Sequence, residues 1–160
     1  MTQVFESERI RFVKITEALL ADYLAMVNDM ERVAPFIGRR TEPFTEAQEL
    51  AWVRKKQADD GPYFSMIEKE CGDFIGNIEL MDVHDDVGEL GIAITAAKQD
   101  MGFGTEAIPA MVRYGMERLG LRRVFLKVYP ENARALHVYE KCGFREYNRT
   151  DTDIFMEIVR

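Results

Sequence analysis

Residues Glu8-Arg-Ile-Arg-Phe-Val-Lys-Ile15 alternate charged and apolar side chains. Period two is the signature of a half-buried strand, because successive side chains leave opposite faces of the pleat. The period then changes. Leu19, Leu20, Tyr23 and Val27 recur at helical spacing behind Thr16, a residue able to cap a helix. Pro35, Gly38 and Pro43 interrupt helix continuity over residues 31–44. Thr45 and Gln48 form a capping box for a second helix through about Gln57. Asp59-Asp60-Gly61-Pro62 is a turn signal. Three strands are expected next, Tyr63 to Glu68, Phe74 to Met81 and Glu89 to Thr95. Cys71-Gly72-Asp73 and His84-Asp85-Asp86 separate them at hairpin distances, as in an antiparallel meander.

Ile108, Met111, Val112, Met116 and Leu119 predict a helix from about Gly104 to Leu119, with Gly120 to end it. A strand from Arg123 to Tyr129 follows. Asn132 opens a shorter helix through Lys141, closed by Gly143. Phe144 to Arg149 and Ile154 to Val159 read as two final strands. The order β-α-α-βββ-α-β-α-ββ is that of a mixed α/β layer protein. A right-handed crossover through residues 104–119 makes its two flanking strands parallel. The 160 residues fit one domain, 1–160.

Charge narrows the partners. A net charge of −7 disfavours nucleic-acid binding through a general basic surface, and an acidic cleft would draw a cationic substrate. No apolar run approaches a bilayer span, and the acidic N-terminus has no apolar signal core. Cys71 and Cys142 form no metal-type spacing, so no metal is expected. They read as buried or half-buried free thiols of a cytoplasmic protein.

The candidate chemistry begins at Gln99-Asp-Met-Gly102-Phe-Gly104-Thr105, between a strand and a helix. Glycine permits a sharp turn and close approach to a ligand. The first N–H groups of a helix lack internal partners and carry partial positive charge. Such a junction suits a phosphate or pyrophosphate and equally suits a plain strand-to-helix loop.

Taken with Asn132-Ala-Arg-Ala-Leu-His-Val-Tyr139-Glu-Lys-Cys-Gly143-Phe144, this stretch resembles the GCN5-related N-acetyltransferases (GNAT) over nearly the whole chain. Ser7-Glu-Arg-Ile-Arg-Phe12 is similar to the branch of ribosomal-protein N-terminal and spermidine acetyltransferases. Phe74-Ile-Gly-Asn-Ile-Glu79-Leu80 and Glu89-Leu-Gly-Ile-Ala-Ile94 are most similar to the spermidine/spermine type. The resemblance implies a central, mostly antiparallel twisted sheet of about six to seven strands. A parallel pair would splay at the cofactor site, and four helices would flank the sheet.

The implied cosubstrate is acetyl-CoA. Backbone N–H groups of Gln99, Asp100, Met101, Gly102, Phe103, Gly104 and Thr105 would hold its pyrophosphate. Backbone groups of Ile92, Ala93 and Ile94 would pair with the pantetheine arm, which Asn132 and Tyr139 would also meet. The family commonly has glycine in place of Asp100 and a basic or polar residue in place of Met101, and an acidic side chain beside a pyrophosphate is unfavourable unless it points away. Tyr139 is the implied acid for the departing thiolate. Glu79 and Glu89 are candidates for the base or for binding a cationic amine, and solvated strand carboxylates are the plain alternative. His84 and His137 are left out of the site.

The acceptor implied is a polyamine such as spermidine or spermine. The alternative is the α-amine of a ribosomal or other protein N-terminus. A non-catalytic acetyl-CoA-binding module is the alternative of another class. Exposed sheet edges make a homodimer plausible.

Overall fold

A computed structural model describes all residues 1–160. Eight strands form one sheet in the order β1-β2-β3-β4-β5-β6-β8-β7. In chain order these are β1 (Gln3–Glu6), β2 (Ile10–Lys14), β3 (Tyr63–Glu68), β4 (Phe74–His84), β5 (Val87–Ile94), β6 (Arg123–Val128), β7 (Arg145–Arg149) and β8 (Ile154–Val159). The helices are α1 (Leu20–Val27), α2 (Glu46–Asp59), α3 (Phe103–Arg118) and α4 (Ala133–Lys141). Seven strands and all four helices match the expected elements. The addition is β1, four residues paired antiparallel with β2, too short to show an alternation of its own.

Contacts group the chain into two compact units, Met1–Ile78 with Ile92–Phe103, and Glu79–Gly91 with Gly104–Arg160. The chain passes between them within β4, within β5 and at the start of α3.

In the first unit β1, β2 and β3 pair antiparallel. Their apolar face meets α1 and α2 in a cluster that includes Val13, Ile15, Leu19, Tyr23, Met26, Val53, Ile67 and Phe74. Tyr23 sits at its centre, edge-on to Trp52 and Phe74 at 5.7 and 5.5 Å between ring centroids. Thr16 caps a 3-10 turn, Glu17–Leu19, ahead of α1, so that helix begins later than the apolar spacing suggests. The capping box of α2 is complete. Gln48 N–H donates to Thr45 Oγ1 at 3.1 Å, and Thr45 N–H donates to Gln48 Oε1 at 2.8 Å.

In the second unit β5 and β6 run parallel from Val87↔Arg123 to Glu89↔Phe125, and both strands continue past that register. The α3 crossover provides the parallel connection that the sequence order anticipated. β6 and β8 pair antiparallel over six residues, with β7 at the edge. Asp85 and Asp86 both take positive φ, 50° and 63°, which is the backbone of a tight two-residue hairpin turn.

Pro109 lies inside α3 and lacks the N–H that would reach the carbonyl of Thr105. The thiol of Cys142, 3.9 Å away, donates to that carbonyl instead. Cys142 is half-buried as expected, but Cys71 is exposed, a correction to the reading of both thiols as covered. The turn carrying Cys71 projects from the sheet, and its thiol donates to Glu68 Oε2 at 2.8 Å. That carboxylate holds the thiol above its ordinary pKa, which disfavours the reactive thiolate.

Candidate active site

The loop ahead of α3 is built by two left-handed residues, Asp100 at φ 60° and Gly102 at φ 81°. Aspartate tolerates this region better than most residues, which explains an aspartate standing where the family commonly has glycine. Met101 and Gly102 donate their N–H groups to nothing in the protein, and the first turn of α3 follows directly. Turned backbone N–H groups running into a helix N-terminus make a concave anion cradle, so this loop fits a pyrophosphate. Gln99 contributes differently. Its own N–H already donates to Ala96 O at 3.2 Å, and its side-chain amide donates to Ile94 O at 2.9 Å. It ties the loop back to β5.

Two arginines far off in sequence brace this loop. Arg9 Nη1 donates to Met101 O at 3.1 Å, and its guanidinium lies 4.2 Å above the Phe103 ring centroid. Arg32 pairs with Asp100 at 3.4 Å, drawing that carboxylate to a cation. The concern over an acid in the cradle is met by this pairing. Sequence reading found neither arginine, since 92 and 68 residues separate them from their partners. A testable consequence follows for Asp100→Gly. It removes an exposed ion pair worth at most about 1 kcal/mol and frees a left-handed residue from its Cβ. Acetyl-CoA affinity, measured by calorimetry, should stay within about threefold of wild type.

Behind the loop, Thr95 N–H donates to Ile75 O at 2.9 Å. Gly76 on β4 faces the part of β5 that holds Ile92, Ala93 and Ile94. A Cβ on Gly76 would fall 2.0 Å from Ala93 O. The side chains of Ile92, Ala93 and Ile94 are half-buried, and Ala93 packs against the Tyr23 cluster.

In the second unit, Asn132 caps α4: Ala135 N–H donates to its Oδ1 at 3.3 Å. Its amide nitrogen has no protein partner. Capping and ligand binding are therefore compatible in one side chain. Tyr139 is 9% exposed, on the buried face of α4, with its ring 6.1 Å from that of Phe144. Its hydroxyl makes no hydrogen bond within the protein. Burial, with a smaller push from the Cys142 thiol, raises its pKa to about 12. Thr105 and Gly104 lie in the first turn of α3.

Glu89 is largely covered, its side chain 15% exposed, with Lys127 Nζ 3.9 Å from Oε2. Burial is the main cause of a raised pKa. Lys127 opposes it, while Asp82 and Glu79 add to it. Glu79 is half-buried on β4 and lies alongside Gly91, whose missing side chain leaves it room: a Cβ there would come 3.4 Å from Glu79 Cγ. The two carboxylates thus sit within one electrostatic neighbourhood. His84 and His137 are both exposed.

The raised Glu89 pKa has a sign. Between the ordinary carboxylate pKa and the raised one, the folded protein holds more protons than the unfolded chain, so stability falls as pH rises across that window. Glu89→Gln removes the dependence. Its melting temperature relative to wild type should improve on going from about pH 4 to pH 7. A wild-type advantage growing over the same interval would refute the assignment.

No helix is long and apolar enough to cross a membrane. The acetyltransferase (GNAT) domain family matches residues 9–145. Spermidine N(1)-acetyltransferase of Vibrio cholerae is 30% identical over 117 residues, covering 72% of this chain and 66% of that protein. The chain spans 56 to 66% of the length of the first curated relatives it matches. An acetyltransferase of the GNAT family from Bacillus anthracis superposes with a TM-score of 0.85 at 20% identity, covering 99% of this chain and 98% of the other. Spermidine N-acetyltransferase from Vibrio cholerae, in complex with CoA and spermine, gives 0.75 at 23% identity, with 94% and 95% covered. The family match covers most of the chain, and the chain belongs to the GNAT acetyltransferase family.

Proposed function

We propose that the protein transfers an acetyl group from acetyl-CoA to a primary amine by direct attack, and that the amine is a polyamine such as spermidine or spermine. The observation that carries the reading is the loop Gln99–Thr105, whose left-handed turns and unpaired N–H groups are suited to a pyrophosphate. Acetyl-CoA supplies an activated thioester. The chain's residues bind and orient it, and handle two protons.

Backbone groups at Ile92, Ala93 and Ile94 are assigned to the pantetheine arm, with Asn132 donating through its spare amide. Tyr139 is assigned to the leaving sulfur. Its hydroxyl has no competing partner and remains protonated at every physiological pH. Glu89, or Glu79 beside it, is assigned to the amine. An alkyl ammonium of pKa about 10.4 must lose a proton before attack, at a cost of about 4.6 kcal/mol at pH 7. Glu89, a largely covered carboxylate of raised pKa, is suited to accept that proton, directly or through water. The polyamine assignment draws on the net charge of −7 and on the relatives named for spermidine.

The test is an acetyl-transfer screen across polyamines, amino acids, aminoglycosides and N-terminal peptides. Turnover of spermidine or spermine at rates well above the peptides is expected. Acetylation of N-terminal peptides with polyamines untouched would overturn the acceptor assignment. Acetyl-CoA binding without turnover of any amine would favour a binding module.

A further inference from the structure

Two ion pairs lie on one face of the sheet in the second unit, and they differ in kind. Arg123 of β6 donates through Nε to Glu157 Oε2 of β8 at 3.1 Å, a completed hydrogen-bonded pair. Lys127, four residues further along β6 on the same face, comes only to 3.9 Å from Glu89 Oε2 of β5, beyond hydrogen-bond distance. Glu89 accepts no hydrogen bond from any group in the protein, although its side chain is only 15% exposed. Both of its oxygens keep contact with solvent. A largely covered carboxylate without a donor is an acceptor open to a donor from outside the chain.

The strands place this open pair at a definite point. Glu89↔Phe125 ends the parallel register of β5 with β6, and both strands run on beyond it. Lys127 lies past the end of that register, and its side chain reaches back to Glu89. Phe125 and Phe155, the register partners of Glu89 and Lys127, are half-buried. Lys127 of β6, with Asp82 and Glu79 of β4, are the charged groups that face Glu89, and the lysine is the one cation among them.

The chemistry of acetyl transfer gives that cation a use. Glu89 alone would draw the acceptor as an ammonium, which has no lone pair with which to attack. Lys127 repels a second ammonium at the carboxylate, because like charges a few ångströms apart disfavour each other's charged form. A free amine meets no such repulsion. It can donate an N–H to Glu89 and keep its lone pair for the thioester.

We infer that Lys127 is a specificity-determining residue of the acceptor site, whose charge beside Glu89 selects the free amine over its ammonium. This inference rests on the assignment of Glu89 to the amine.

The experiment compares wild type with Lys127→Met, Lys127→Arg and Glu89→Gln. Steady-state kinetics with spermidine are run from about pH 6 to about pH 10, and spermidine binding to the CoA-loaded protein is measured by calorimetry. Lys127 is half-exposed and makes no hydrogen bond, so Lys127→Met should melt within about 2 °C of wild type. At pH 7 it should bind spermidine about three- to tenfold more tightly and turn it over about tenfold more slowly. The rising limb of kcat against pH should move up by about one unit, so the variant approaches wild type in alkali. Lys127→Arg keeps the charge and should keep the wild-type limb. Equal behaviour of the methionine and arginine variants, or a limb and affinity unchanged in Lys127→Met, overturns the inference. Full activity of Glu89→Gln at every pH would instead remove Glu89 from the amine, and the inference with it. Wild type that acetylates no amine would defeat the acetyltransferase reading, while the calorimetric comparison still decides the effect of the charge.

Discussion

Tyr139→Phe lowers kcat by roughly two to four orders of magnitude, the usual worth of a positioned general acid, and leaves the fold almost untouched. The two halves of this expectation have separate causes. The hydroxyl makes no hydrogen bond in the protein, so deleting it breaks no structural contact. The ring, packed against Phe144, is retained. A stability change within about 0.5 kcal/mol corresponds to a melting shift of about 2 °C or less in a chain of this size. Burial also fixes the pH behaviour. With the folded pKa at about 12, the phenol keeps its proton while an unfolded tyrosine ionises near 10. Wild-type stability should therefore fall as pH rises between those values, and the phenylalanine variant should lack that component. Transfer to a thiolate of pKa about 8.5 is uphill for such a phenol, so its work is to hold a donated proton against the sulfur as charge develops. Unchanged kcat in Tyr139→Phe would remove the residue from the mechanism.

Gly76→Ala should be among the most damaging single-methyl changes in the chain. The added carbon would lie 2.0 Å from Ala93 O, 2.9 Å from Ile94 Cα and 3.0 Å from Ala93 C. All three are backbone atoms of β5, so no rotamer change relieves the overlap, and the strands must separate. A cost of roughly 3 kcal/mol or more is expected, seen as a melting temperature lower by about 6–12 °C, with acetyl-CoA affinity lost in parallel. Gly72→Ala is the control. Gly72 has φ 76° with nothing within 4 Å of the missing Cβ, so only the left-handed strain remains, about 1–2 kcal/mol. Equal effects at the two positions would show that backbone strain, and not collision, governs Gly76.

Periodicity carried the reading wherever one element satisfied its own pattern. Glu8–Ile15 alternates and forms β2, and Thr45 with Gln48 closes the capping box that its spacing demands. The loop before α3 was visible because glycine and helix onset are local signals. What escaped depends on partners remote along the chain. Nothing near Arg9 says that it will grip Met101, and nothing near Tyr23 or Ser65 says that their hydroxyls will meet in the core. Cys71 failed for a related reason. Composition suggests that a cysteine is covered, but its place on a projecting turn decides otherwise. The carbonyl of Thr105 joins the same group, since Pro109 announces a missing donor while only the fold supplies Cys142.

The bracing of the Gln99–Thr105 loop bears on protein engineering. A segment cut from β5 through α3 contains every turn and glycine of the proposed cradle, yet it leaves behind the guanidinium that holds Met101 O and the cation that pairs with Asp100. The smallest portable version of this cradle is consequently discontinuous. It comprises the loop, the β1–β2 turn bearing Arg9 and the connection bearing Arg32, and a graft lacking the last two would leave Met101 O and the Asp100 carboxylate without their cations.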